Sequence, residues 1–271
     1  MASQRADHAR LTTLLDASVA AARLAADYIR SREADRAGLD VREKQASDFV
    51  SEVDTGAETR IREVLDRLVP GAQVVGEELS PKASTSGETV FVVDPLDGTT
   101  NFLHGFPVYS VSIGAMSEGQ VVAGVVLDVP HGEVFTATAG GGAFRDGQAM
   151  HVSTVRTSGR ALVGTGFPFK NLEFLTDYLR QFARITRAQA GLRRAGSAAL
   201  DLASVACGRF DAFWELRLAP WDIAAGLLLV REAGGRVTDL EGRDIVPASG
   251  PVVASNGHLH EWLLESLRDG G

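Results

Sequence analysis

The segment Asp94-Pro95-Leu96-Asp97-Gly98-Thr99-Thr100-Asn101-Phe102 sets two carboxylates, two hydroxyls and a glycine directly behind the largely apolar run from Thr89 to Val93. That run reads as a short buried strand. Pro95 fixes its own φ and lacks an N–H, so the ladder is expected to stop there. Asp94 and Asp97 then converge on one spot. Gly98 permits a sharp turn, and the N–H groups of Gly98, Thr99 and Thr100 face an anion if a helix or nest begins at that point. Carboxylates hold cations and amide donors hold phosphate, so the combination points to a metal-bridged phosphate site. Taken alone, D-P-x-D-G is a solvated turn in which Asp caps the backbone and glycine takes a positive φ.

Further acids at element ends change that reading. Asp54 precedes a helical pattern, Glu77 follows a strand in Gly76-Glu77-Glu78, Glu215 follows Phe213-Trp214, and Asp222 opens the helix that begins Trp221-Asp222-Ile223-Ala224. Singly, Asp54 and Asp222 are N-caps and the two Glu are solvated loop charges. Gathered with Asp94 and Asp97, they raise an electrostatic problem. Two like charges about 4 Å apart repel by about 4 kcal/mol at an effective dielectric near 20, so several such carboxylates stay ionised together only with cations among them. Mg²⁺ takes hard oxygen ligands, keeps waters and bridges to phosphate. The chain has no cluster of His and only one Cys, which argues against zinc and against a phosphocysteine route.

The elements that must position these residues can be read from periodicity. Leu11, Leu14, Leu15, Ser18, Ala22, Ala25 and Ile29 predict a long first helix ending near Arg32. Asp54 or Thr55 opens a second, with Thr55 and Glu58 as a capping box and Ile61, Val64, Leu65 and Leu68 as its buried face. Gln73 to Val75 is a strand, and Ser80 to Glu88 is a loop. Val108 to Phe135 alternates apolar runs with turn signals, an antiparallel meander. Gly140-Gly141-Gly142 looks like a phosphate loop but lacks the Lys and helix that should follow, so it reads as a turn. After Thr157, strands and helices alternate: strand Leu162 to Gly164, helix Leu172 to Phe182, helix Ser197 to Cys207, strand Phe210 to Trp214, helix Ile223 to Ala233, strands Arg236 to Thr238 and Val252 to Ala254, and helix Leu259 to Leu267. The expected organisation is an N-terminal α+β half over 1–156 with the acidic loops, and a C-terminal α/β half over 157–271 that completes a shared cleft.

Composition bounds the partners. A net charge of -8 and a pI near 5.3 argue against a nonspecific nucleic-acid or anionic-membrane surface. The polar start (Ser3, Gln4, Arg5, Asp7) shows no signal peptide and no apolar run approaches a membrane span, so a cytoplasmic setting is expected. Cys207 lies in an apolar helical pattern and is expected to be a core residue without thiol chemistry.

The order Ser47-Asp48-Phe49-Val50-Ser51-Glu52-Val53-Asp54, Gly76-Glu77-Glu78, DPLDGTTNF, Arg194-Ala195-Gly196-Ser197-Ala198-Ala199, Trp214-Glu215 and WDIAAG resembles the inositol monophosphatase family, its bacterial members especially. The resemblance implies a layered αβαβα sugar-phosphatase fold, with a mixed or antiparallel N-terminal sheet and a smaller C-terminal sheet. It implies Mg²⁺-dependent hydrolysis of inositol monophosphates and related polyol phosphates by direct attack of a metal-activated water, two to three ions per site, Li⁺ sensitivity and a homodimer. By the same resemblance Glu77, Asp94 and the Leu96 carbonyl bind one Mg²⁺, while Asp94, Asp97 and Asp222 bind a second. Glu77 also holds a third, weaker ion. Asp54 and Thr99 flank the attacking water, which Glu77 and Thr99 activate. Gly98 and Thr99 amides meet the phosphate, and Asp97, Ser197, Ala198, Glu215 and Asp222 face the polyol. Lys44 falls near the basic residue that many members carry. Thr100-Asn101 fits inositol-type enzymes better than nucleotide-cleaving relatives. Relatives acting on fructose 1,6-bisphosphate or histidinol phosphate remain alternatives, with Arg193 or Arg194 as the cation a bisphosphatase needs. A regulatory binding protein with secondary phosphatase activity is the reading from a different class.

Overall fold

An alanine-rich stripe lets helix α1 (Ala2–Ser31) lie close on its neighbours: Ala17, Ala21, Ala22 and Ala25 are all buried, flanked by Leu14 and Ile29. The computed structural model describes residues 2–45, 48–85, 87–168, 172–188 and 190–268. A 3-10 turn (Glu33–Gly38) and a hairpin of β1 (Val41–Gln45) and β2 (Asp48–Ser51) lead into α2 (Glu52–Leu68). Then come β3 (Gln73–Gly76), β4 (Val90–Asp97), the short helix α3 (Thr99–His104), β5 (Ser110–Ser117), β6 (Gln120–Asp128), β7 (Val134–Thr138), β8 (Gly142–Arg145) and β9 (Gln148–Ala149). These strands form a seven-stranded sheet in chain order, β3 parallel to β4 and the later pairs antiparallel. The C-terminal half runs β10 (Leu162–Thr165), α4 (Leu175–Ala188), β11 (Gly191–Arg193), α5 (Ala198–Ala206), β12 (Ala212–Leu218), α6 (Pro220–Glu232), β13 (Arg236–Thr238), β14 (Gly250–Ser255) and α7 (His260–Leu267). Its five-stranded sheet has the order β11-β10-β12-β14-β13.

The layers are α1 and α2, the large sheet, α5 and α6, the small sheet, then α4 and α7, which is the αβαβα order expected. Period-two alternation assigns side chains to layers. On β12, Phe213 enters the core with α5 and α6, while Trp214 enters the core with α4 and α7 and stacks on Tyr178 with centroids 6.0 Å apart. Glu215, next in the alternation, shares the Phe213 face.

Helix α6 belongs to the C-terminal half by sequence but packs on the N-terminal sheet. The contact is made by Gly114 and Gly124, which are cross-strand partners. A Cβ on Gly114 would stand 2.7 Å from Ala224 Cβ, and one on Gly124 would stand 3.1 Å from Ala225 Cα. This approach carries the α6 N-terminus over β4 and β5, where Ser112 Oγ donates to Trp221 O at 3.4 Å.

The triple-glycine turn behaves as expected, and it also captures an anion. Gly140 and Gly142 take positive φ, and their N–H groups donate to the two carboxylate oxygens of Glu232 at 2.8 and 2.9 Å. The anion is the chain's own, at the last residue of α6. Cys207 is half-buried rather than a full core residue, and its free thiol is pushed up by burial.

One buried histidine predicts a pH response. His260 is fully buried between Thr238 Oγ1 (2.9 Å) and Ser255 Oγ (3.0 Å), and burial pushes its pKa down from 6.5 to about 4. A depressed folded-state value means the stability is present above the unfolded value and is lost as pH falls toward the folded one. Wild type therefore loses up to about 3 kcal/mol between pH ~6.5 and ~4 through this group. Denaturant melts at several pH values should show a shallower acid slope for His260→Gln.

Candidate active site

Register places Glu77 beside Asp94. β3 pairs parallel with β4 so that Gly76 faces Val93, and the Glu77 N–H donates to Val93 O at 3.2 Å. Pro95 does not end the ladder as the sequence suggested. β4 continues to Asp97, with Asp94 opposite Ser112 and Asp97 opposite Ser110, and the register shifts between them. Pro95 and Leu96 thus face Val111 alone, a bulge, where a missing N–H costs no ladder bond. The bulge brings both Asp94 and Asp97 to the sheet end, both buried, and Asp94 Oδ1 accepts from Leu96 N at 3.0 Å.

Each remaining acid is fixed by a helix start. The capping box of α2 is Ser51 with Asp54, not Thr55 with Glu58. Ser51 N and Oγ both donate to Asp54 Oδ2 (2.8 and 2.6 Å), which leaves Oδ1 to accept Thr99 Oγ1 at 2.8 Å. Thr55 instead donates to Glu52 O. The Thr99 hydroxyl also reaches the Leu96 carbonyl at 3.1 Å. Gly98, at φ 98°, is the N-cap of α3, so a helix does begin where the anion-facing amides were anticipated. Asp97 is clasped by the start of α5: Ser197 Oγ and Ala199 N donate to its Oδ2 at 2.5 and 2.8 Å. Ser197 is fully buried and also 3.2 Å from Ser110 Oγ, so its side chain serves Asp97. Asp222 sits at the third position of α6 and accepts Ala219 N at 2.6 Å. Asp54 and Asp222 are therefore both anchors of a helix start and members of the acidic set.

Charge shows how the set converges. Burial pushes Asp94 well above the usual carboxylate range, and the charges of Glu77, Asp97 and Asp222 push it further. Burial also raises Asp97, against the lowering bonds from Ser197 and Ala199, and it raises Asp54 against Ser51 and Thr99. Glu77 repels all three. Among the described residues, no three ligand side chains already stand in closed coordination geometry. The acids are gathered within electrostatic reach, with Asp97 and Asp222 turned toward local N–H donors. The donor chemistry nonetheless fits Mg²⁺: hard carboxylate oxygens, buried and mutually repelling.

A second lobe carries Glu215. Gly166 follows β10 next to it, and a Cβ there would fall 2.0 Å from Glu215 Oε2. Arg194 lies over the Phe167 ring at 5.4 Å, and its charge reaches Asp201 and Tyr178. Asp201 was missed by the sequence reading. It is a buried acid of α5, pushed well up by burial and then by Glu215 and Asp97. Its signal was the one charged residue in the Ala198–Ala206 helix. Ala198, at the first turn of that helix, is buried close to Asp97. The side chain of Lys44 and all of Ser47 lie outside the described residues.

Comparison with known proteins agrees with this architecture. The model of the inositol monophosphatase family matches residues 10–271. An inositol-1-monophosphatase of Rhizobium meliloti is 43% identical over 230 residues, covering 85% of this chain and 86% of that protein. A protein of Pseudomonas aeruginosa named Nus factor SuhB is 42% identical over 260 residues, covering 94% of this chain and 96% of that protein. Among solved structures, the extragenic suppressor protein suhB of Bartonella henselae superposes with a TM-score of 0.89 at 38% identity, covering 95% of this chain and 99% of that one. An inositol monophosphatase from Anabaena gives 0.85 at 34% identity, covering 95% and 96%. With the fold, the order of acidic motifs and these full-length matches in agreement, the chain belongs to the inositol monophosphatase family and is a phosphatase.

Proposed function

We propose that this phosphatase hydrolyses inositol monophosphates and related polyol phosphates in a Mg²⁺-dependent reaction, with Glu77, Asp94, the Leu96 carbonyl, Asp97 and Asp222 holding two to three ions. The observation that carries the reading is Asp94, buried and facing the charges of Glu77, Asp97 and Asp222. When bound, Mg²⁺ supplies Lewis-acid stabilisation of phosphate oxygens and a lowered pKa for water.

The chain's own residues orient the reaction. The Thr99 hydroxyl donates a hydrogen bond to Asp54 Oδ1, so its lone pair is available to accept a hydrogen bond from the attacking water. Glu77 is the base on the other side of that water. The first-turn amides of α3, at Gly98 and Thr99, meet phosphate oxygens. Glu215 accepts the polyol hydroxyls, with Asp97, Asp222 and the backbone at Ala198, and Ser197 acts by holding Asp97. No phosphoenzyme forms, because the Asp94 and Asp97 carboxylates are committed as ligands.

The N-terminal half (1–156) supplies the acidic loops and the C-terminal half (157–271) the polyol wall. Li⁺ inhibition and a cytoplasmic homodimer complete the reading. The dimer has support in the exposed Leu175 and Leu179, one turn apart on α4, with the exposed Leu172 just before that helix. Among the described residues, no helix is long and apolar enough to cross a membrane.

The test is kcat/KM over inositol 1-phosphate, fructose 1,6-bisphosphate, histidinol phosphate and a nucleotide bisphosphate, with and without Mg²⁺. Inositol 1-phosphate should be turned over best, and only with the metal. The relative named Nus factor SuhB supports a second reading, a regulatory protein in which phosphatase activity is secondary. That reading prevails if no polyol phosphate is hydrolysed while a protein partner binds.

Glu215 separates recognition from chemistry. Glu215→Gln should lower kcat/KM for inositol 1-phosphate about 10- to 100-fold, the worth of hydrogen bonds to a charged acceptor. Hydrolysis of p-nitrophenyl phosphate, which offers no hydroxyl, should stay near wild type. Equal losses on both would remove Glu215 from the polyol pocket.

A further inference from the structure

Glu58 is fully buried on α2, four residues after Asp54 and hence on the same helix face. It makes no cap. Its Oε1 accepts Arg62 Nε and Nη2 at 3.0 and 2.8 Å, and its Oε2 accepts the backbone N–H groups of Glu78 and Leu79 at 2.8 and 3.2 Å. Arg62 Nη2 also donates to Ser80 Oγ and to Val74 O, the latter at 3.3 Å. Ser80 Oγ in turn accepts Gly76 N at 3.0 Å.

Consequently each backbone N–H from Gly76 to Leu79 is committed: Gly76 to Ser80, Glu77 to Val93 O, Glu78 and Leu79 to Glu58. The peptide units on both sides of Glu77 are held. The carboxylate reaches this backbone only because residue 76 has no side chain, since a Cβ there would lie 2.0 Å from Glu58 Oε1. A carboxylate paired with Arg and aimed at consecutive amides forms charge-assisted bonds, which fix geometry more tightly than neutral ones. One rigid helix thereby addresses both acidic loops: Asp54 holds the DPLDGTT loop through Thr99, and Glu58 holds the Gly76-Glu77-Glu78 loop.

We propose that Glu58 is the positioning residue for Glu77, setting the affinity of the site for Mg²⁺ by fixing the loop from behind; the inference rests on the reading of Glu77 as a metal ligand. Outer residues that orient metal ligands typically govern affinity by 10- to 100-fold.

The experiment titrates Mg²⁺ into the full-length wild type, Glu58→Gln, Ser80→Ala and Glu77→Gln. It reads the midpoint both by phosphate release and by thermal stabilisation, and it follows amide exchange at Glu78 and Leu79 without metal. Glu58→Gln should raise both Mg²⁺ midpoints about tenfold or more, recover kcat to within about threefold at saturating Mg²⁺, and speed exchange at the two amides. Unchanged midpoints overturn the proposal, even if exchange is faster. Should Glu58→Gln fail to fold, Ser80→Ala, which removes the acceptor of Gly76 N, an Arg62 contact and the bond from Ser80 Oγ to Val74 O, should still shift the midpoints several-fold; no shift there overturns it equally. If Glu77→Gln itself leaves the midpoints unchanged, the metal-ligand reading falls and takes this inference with it. A shifted Glu77→Gln beside an unshifted Glu58→Gln sinks the positioning role alone.

Discussion

Asp94→Asn should cut turnover on inositol 1-phosphate by about 10³-fold or more, the loss of several kcal/mol of transition-state stabilisation, while making the metal-free protein more stable. The two effects share one cause. Asp94 is buried and repelled by Glu77, Asp97 and Asp222, so its carboxylate opposes folding when no cation is present. An amide of the same shape removes the charge and offers N–H donors to the carboxylates that remain. The gain should appear as a higher melting temperature of the metal-free variant at neutral pH. Added Mg²⁺ should then reverse the order of melting temperatures, because a ligand stabilises only the fold that binds it. Calorimetry with a chelator and with Mg²⁺ separates this from a folding defect, which would lower the variant under both conditions. Asp222→Asn should behave similarly in turnover, with a smaller gain in stability because its carboxylate anchors Ala219 N.

Thr99→Val should lower kcat by about 10²- to 10⁴-fold, the usual range for a group that orients or transfers a proton in the transition state. KM should change little. The hydroxyl bridges Asp54 Oδ1 and the Leu96 carbonyl, so its loss uncouples the acid of α2 from the bulged loop. Asp54→Asn should fall in the same range. The double variant should cost no more than the worse single one, since residues acting as a unit are not additive. Multiplicative losses would mean that the two side chains act independently and that the hydrogen bond between them is incidental to the reaction.

Much of this architecture was legible because it follows local rules. The first helix was placed to within a residue at its end, Arg32 expected against Ser31 found, because Leu14, Ala22, Ala25 and Ile29 repeat at helical spacing. The strand Arg236 to Thr238 matched outright, and the helix expected from Ser197 to Cys207 is α5, Ala198–Ala206, with Ser197 as its N-cap. What failed depended on partners distant in sequence. Glu58 had the spacing of a capping box with Thr55, yet its partners are Glu78 and Leu79, about twenty residues away, reached only after β3 folds back. Pro95 looked like a ladder stop, but a bulge is invisible until the facing strand supplies Ser110 and Ser112. Asp201 hid among apolar neighbours, and its meaning comes from Glu215 and Arg194 on other elements.

The acidic set itself was readable as a set because the sequence pattern put every member at the end of an expected element, although β4 runs on past Asp94 and β12 past Glu215. Its convergence was not, since it needs Gly114 and Gly124 to seat α6 against the N-terminal sheet. Fold and site are in that sense one packing problem, solved where small residues let a C-terminal helix reach N-terminal strands.

The most direct measurement is anomalous diffraction from crystals of the full chain soaked in Mn²⁺ as a stand-in for Mg²⁺. Peaks should lie between Glu77 and Asp94, with the Leu96 carbonyl in range, and between Asp94, Asp97 and Asp222. Manganese bound elsewhere, or absent from these carboxylates in crystals of protein that hydrolyses inositol 1-phosphate with Mn²⁺, would contradict the assignment of the metal centre.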